Sequence, residues 1–138
     1  VQAYPNATWR SPVTRDPFDV PLEEKVNLLL SANAEAMKVQ NVRFVNSILF
    51  FVKQEKLFAS TEGTLTDQTL IRSWPLFTAT AVKPDFSDFQ SRTGAEAAPM
   101  GRGFEYVQQC DLPGNARKWA LPTFSPSPAV PAWHPPKQ

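Results

Sequence analysis

The sequence predicts an α+β fold: an amphipathic helix packed on a mostly antiparallel sheet that contains two long strands. Three observations carry that expectation. Apolar residues recur at helical spacing from Leu22 to Met37. Two later stretches, starting at Val42 and at about Thr66, alternate with the period of two that a strand imposes. The prolines crowd both ends, with Pro5, Pro12, Pro17 and Pro21 at the start, six more from Pro122 to Pro136, and none between Leu22 and Trp74. Proline locks φ and donates no N–H, so dense proline opposes helix and sheet interiors. The chain therefore divides into an extended arm at 1–18, a folded body at 19–115 and an irregular tail at 116–138.

The helix is expected over 20–39. Pro21 falls in its first turn, where a missing N–H costs little, and Glu23 and Glu24 sit where the helix dipole favours negative charge. Leu22, Val26, Leu29, Leu30 and Met37 form the stripe expected to face the sheet, with Asn33 and Ala34 on the same side. A strand follows over Val42–Lys53, apolar on both faces and more so at its Ile48–Val52 end. Gln54-Glu55-Lys56 reads as a polar turn and Leu57–Ser60 as a short return strand, closed by Thr61-Glu62-Gly63 with Gly63 at positive φ.

The second long strand runs from about Thr66 to Val82. Pro75 cannot donate to a ladder, so it marks an edge, a bulge or a break. Lys83–Arg92 reads as polar loop and Thr93–Gly103 as a small-residue loop. Phe104–Gln109 is a last short strand or the start of a helix, and no periodicity is expected from Asp111 onward.

Composition narrows the function classes. The 138 residues carry a net charge of +1, too near zero to make nucleic acid the default partner. The 42% hydrophobic content is enough for a core. Cys110 is the only cysteine and His134 the only histidine, which excludes an internal disulfide and a His/Cys-rich zinc site built by this chain alone. The lone cysteine fits a reducing, cytoplasmic location. No apolar run approaches a membrane span, and the first residues lack the pattern of a signal peptide.

Each candidate for chemistry has a plainer structural reading. His134 lies among prolines without a rigid frame or partner and reads as a solvated tail residue. Cys110 has no nearby base to lower its pKa and reads as a structural thiol. Gly101-Arg102-Gly103 lacks the spacing of a phosphate loop. Asp85, Asp88 and Glu96 read as solvated loop charges, and Asn6-Ala7-Thr8 as a chance match to a glycosylation site. An open strand edge could accept an extended peptide, although edges paired within the fold or blunted by Pro75 and Lys53 are the simpler expectation.

Several stretches in order resemble the TldD/PmbA family of metallopeptidases, once called modulators of DNA gyrase. They are Arg15–Lys25, the strand and return at Val42–Ser60, and Ser60-Thr61-Glu62-Gly63 with Asp67-Gln68 and the strand through Arg72. Gly94 and Gly101-Arg102-Gly103-Phe104-Glu105-Tyr106 complete the pattern, which covers roughly 15–115 and is closer to the TldD half. The resemblance implies a zinc enzyme that cleaves unfolded peptides, its metal held by an H-E-x-x-x-H helix and a further cysteine. No H-E-x-x-x-H occurs here, so the resemblance carries no catalytic or metal residue onto this chain, and no cofactor is expected in it. Cys110 does not match the ligand cysteine. Residues 119–138 depart from the pattern, as an out-of-frame translation or a natural truncation would.

The expected function is the scaffold or peptide-binding region of such a peptidase. The alternative is an assembly module pairing through strand edges or an uncovered sheet face. The partners expected are a second copy or partner subunit and an extended peptide, with no nucleic acid and no membrane. Residues 119–138 are expected to be dispensable for association.

Overall fold

A computed structural model of the chain describes residues 2–94 and 96–124. In chain order the elements are β1 (Ala7–Arg10), α1 (Leu22–Met37), β2 (Val42–Ala59), β3 (Leu65–Val82), β4 (Phe89–Thr93), α2 (Phe104–Gln109) and α3 (Leu112–Ala120). β2 and β3 pair antiparallel along their whole lengths. β1 runs parallel to the start of β3, and β4 pairs antiparallel with its end. The fold is α+β, with the helices on one face of a four-stranded mixed sheet.

β2 is longer than the sequence predicts. Gln54, Glu55 and Lys56 do not turn; they pair with Leu70, Thr69 and Gln68, so Leu57–Ala59 continues the same strand. Polar residues suit this end because the β2 residues there are exposed on both faces of the strand. The reversal comes at Thr61-Glu62-Gly63. Ser60 N–H donates to the Thr64 carbonyl at 2.9 Å, and Gly63 adopts φ +89°, which a side chain would resist.

Pro75 does not interrupt β3. It lies opposite Leu49 and is fully buried. Even-numbered residues of β3 bond to β2, as Thr64 does to Ser60, whereas Ser73 and Phe77 bond away from it, to Met100 and Gly94. Pro75 shares their parity. Its missing donor therefore points into the gap between the Ser73–Met100 bridge and the start of β4, and no ladder bond is lost.

α1 forms where expected but presents a different face. Ala32 and Ala36 are fully buried, and Leu28 and Leu29 pack at the core margin. Leu22, Val26, Leu30 and Met37 are exposed. The true contact face lies about a third of a turn from the predicted stripe. Small side chains let α1 approach both the sheet and α3, and larger ones would hold it off. Leu30, at 59% exposure, is a useful probe. Leu30→Ala should change stability in urea titration by no more than about 0.5 kcal/mol. A loss above about 2 kcal/mol would return the stripe to the core.

Three elements go beyond the sequence expectation. β1 lies within the proline-rich arm, β4 within the predicted polar loop, and α3 runs across the boundary drawn at 115/116. Asp111 starts α3 from a left-handed conformation, φ +43°, and its carboxylate accepts from Gly114 N–H. Pro113 occupies the first turn, where it is tolerated. Leu112, Ala116, Trp119 and Ala120 are all buried, at helical spacing. They pack with Phe77, Ala79 and Ala81 of β3 and with Tyr106 and Cys110. Val20, Phe104 and Val107 form a second cluster against Leu49 and Phe51.

Candidate functional site

β2 is an edge strand. Among the described residues no strand pairs with its outer side. Its even-numbered residues bond to β3, so Ser47, Leu49, Phe51, Lys53 and Glu55 direct their N–H and C=O groups outward. None of these groups bonds to another described residue. Of these, Ser47, Leu49 and Phe51 turn their side chains to the helix side, which places α1 alongside the free edge.

Between them lies a mainly apolar groove of about 410 Å³, lined by Leu22, Val26 and Leu29 from α1 and Ile48, Leu49 and Phe51 from β2. Lys25 borders it, with Nζ 5.0 Å from the centre of the Phe51 ring. Ser47 Oγ, also in the lining, is buried without a hydrogen-bond partner, and so is Asn33 Oδ1 on the same side of α1. An unpartnered buried hydroxyl costs free energy, and a bound main chain could relieve it.

One carboxylate, Glu105, adds to the ties that hold the arm to this framework. Glu105 accepts from Gly103 N–H at 3.0 Å and from Arg15 N–H at 3.1 Å. Arg15 in turn forks onto both oxygens of Glu24 at 2.7 Å, and its carbonyl accepts from Phe104 N–H. Burial works against the Glu105 charge, but backbone hydrogen bonds from Gly103, Arg15, Thr14 and its own residue outweigh it, so its carboxyl sits below the usual range. A depressed folded pKa adds stability above the unfolded value of about 4.3, and that contribution fades as pH falls through the folded value. Glu105→Gln cannot ionise. It should lower stability at neutral pH and flatten the acid-side loss in urea titrations run across that range. An unchanged acid slope would remove Glu105 from this role.

The family model of the PmbA/TldA metallopeptidase central domain matches residues 15–119. The chain belongs to this family. The match opens on Arg15, where the arm is tied, and closes on Trp119, the last large core residue of α3. No curated protein and no solved structure matches the chain.

Within this PmbA/TldA domain the sequence-predicted candidates stay apart. Cys110 is buried; burial pushes its thiol pKa up, against a smaller opposing effect of Tyr106. Burial and the neighbouring Cys110 push the Tyr106 phenol up to about 12, and its hydroxyl donates to the Ala98 carbonyl at 2.6 Å. Burial of this pair disfavours the thiolate and phenolate forms that a nucleophile would need. In Gly101-Arg102-Gly103 the Gly103 N–H is already taken, donating to Glu105 at 3.0 Å. Asp85 binds Ser87, and Glu96 binds Lys118 and Trp119. Asn6 forms the left-handed turn into β1, at φ +57°. His134 lies outside the described residues.

Zinc does not fit the described residues of the PmbA/TldA domain: no three His, Cys, Asp or Glu side chains among them converge. No helix among them is long and apolar enough to cross a membrane. Sequence alone raises an open strand edge without assigning it to β2 and favours edges paired or blunted by Pro75 and Lys53, whereas β2 is left free among the described residues; it does not single out Ser47 or Glu105. Parity along β2 could have found the edge only with the pairing partner known.

Proposed function

We propose that this PmbA/TldA central domain is a non-catalytic scaffold of a metallopeptidase, and that it receives an extended polypeptide on the free edge of β2. The observation that carries this reading is the row of outward N–H and C=O groups at Ser47, Leu49 and Phe51 beside an apolar groove. Main-chain pairing along an edge needs no sequence code, which suits unfolded substrates, and the groove takes alternate side chains. The orphaned Ser47 hydroxyl supports it further. The buried, unpaired Cys110 is compatible with a cytoplasmic setting.

Titrating the isotope-labelled chain with a short peptide of alternating apolar residues should shift the amide signals of Ser47, Leu49 and Phe51. The same peptide N-methylated on alternate residues should not bind. Equal binding of the methylated peptide, or shifts confined to another surface, would overturn the reading. Calorimetry with zinc should show no stoichiometric site in this chain.

A second reading uses the same edge for assembly. The exposed Leu22, Val26 and Leu30 flank it, and a second copy pairing β2 with β2 would bury them as well. Light scattering should then show a dimer that Val26→Lys weakens.

A further inference from the structure

The face of the sheet opposite the helices is a separate surface. It carries the even-numbered side chains of β2 and β3. Phe50 lies opposite Trp74 in the register, and their rings stack with centroids 5.6 Å apart. Ile48 pairs with Leu76, Val52 with Arg72 and Gln54 with Leu70, so the apolar strip continues along the ribbon. Trp74, at the centre, is still 37% exposed, and Phe44 and Phe58 at either end are more so.

Its charge is one-sided. Lys56 and Arg72 are the only ionisable groups of the two long strands on this face; Glu55 and Asp67 have the opposite parity. Six other cations, including Arg15, Lys53 and Arg117, hold carboxylates. Lys56 and Arg72 have no carboxylate partner among the described residues.

We propose that this face docks an amphipathic helix of a partner protein, with acidic residues flanking its apolar stripe. The width favours one helix. Along the middle of the ribbon, from Leu70 to Leu76, β2 and β3 are flanked only by the single-residue bridge of Met100 to Ser73, because β1 pairing ends at Thr69 and β4 pairing begins at Thr78. Two strands and their side chains make a strip about 10 Å wide, the diameter of one α-helix. A second sheet would overhang it. Arg72 lies opposite Val52, four residues from Lys56, or about 13 Å along the strand. Acidic residues about two turns apart on the helix would reach both cations. Aliphatic Ile48, Val52, Leu70 and Leu76 interleave with the rings, which favours a helix over single-stranded nucleic acid, whose bases need open stacking platforms and a denser row of cations.

The test is a titration of the full chain with a synthetic helical peptide of about 20 residues, leucines on one stripe and glutamates beside it. A matched peptide has lysines in place of the glutamates, and an oligothymidylate is the third probe. The glutamate peptide should bind saturably and shift the Trp74 indole signal. Arg72→Glu combined with Lys56→Glu should weaken it by about tenfold and strengthen the lysine peptide. Both substitutions are at exposed positions, so the fold should persist, as circular dichroism would verify. Equal binding of the two peptides to the wild-type chain would overturn the proposal. So would tighter binding of oligothymidylate, or shifts confined to the α1 groove.

Discussion

Trp119→Ala is expected to cost the domain about 3–5 kcal/mol, the usual range for emptying a buried tryptophan site. Trp119 is almost fully buried, its ring centre 5.6 Å from that of Phe77, itself wholly inside the core. Gly94 lies against the same ring so closely that a Cβ there would come within 2.9 Å of it. The indole N–H donates to Glu96, whose carboxylate also holds Lys118. Removing the ring opens a cavity between α3 and β3 that the rigid strand cannot close. Urea unfolding measures the loss. Ending the chain after Lys118 should be as damaging, whereas ending it after Phe124 should preserve the fold. A loss below about 1 kcal/mol would mean that residues from 119 onward are dispensable, as their composition implies.

Gly103→Ala is the second large effect, expected at about 3 kcal/mol, the upper end for overpacking. The backbone at Gly103 is ordinary, φ −89°, so the penalty is steric. An added Cβ would fall 2.3 Å from the Arg15 carbonyl oxygen, 2.4 Å from Val13 Cγ1 and 2.5 Å from Glu105 Oε2. Relief requires the arm to move, which breaks the bonds of Glu105 to Arg15 and Gly103. Hydrogen exchange should show faster opening at Arg15 and Phe104 before the core amides respond. Gly101→Ala is the control, since nothing lies within 4 Å of its added Cβ, and it should be nearly neutral. Equal behaviour of the two variants would show that the arm is not clamped there.

Local patterning carried most of the secondary structure. Helical spacing and acidic first-turn residues located α1, alternation located both long strands, and the need for positive φ located Gly63. These signals are legible because they depend on neighbours a few residues apart. The family was legible for a related reason: the order and spacing of Arg15–Lys25, Val42–Ser60 and the glycine-rich segment survive in the linear chain.

Pairing and packing, by contrast, are settled between residues far apart. Tertiary structure chose Ala32 and Ala36 over Leu30 for the core face of α1, because close approach to α3 and the sheet favours small side chains. It admitted Pro75 to the sheet by pointing the missing donor into a gap. It drew α3 out of a segment that Pro113 and Gly114 disguise, since Trp119 finds Phe77 only after folding. Glu105 became an anchor because the arm, 90 positions away in sequence, delivers the Arg15 N–H to it. The sequence determined α1, the two long strands and the family they belong to. Which faces are buried, and which edge and face remain open, followed only from the three-dimensional arrangement, because burial is a property of neighbours that the linear order does not specify.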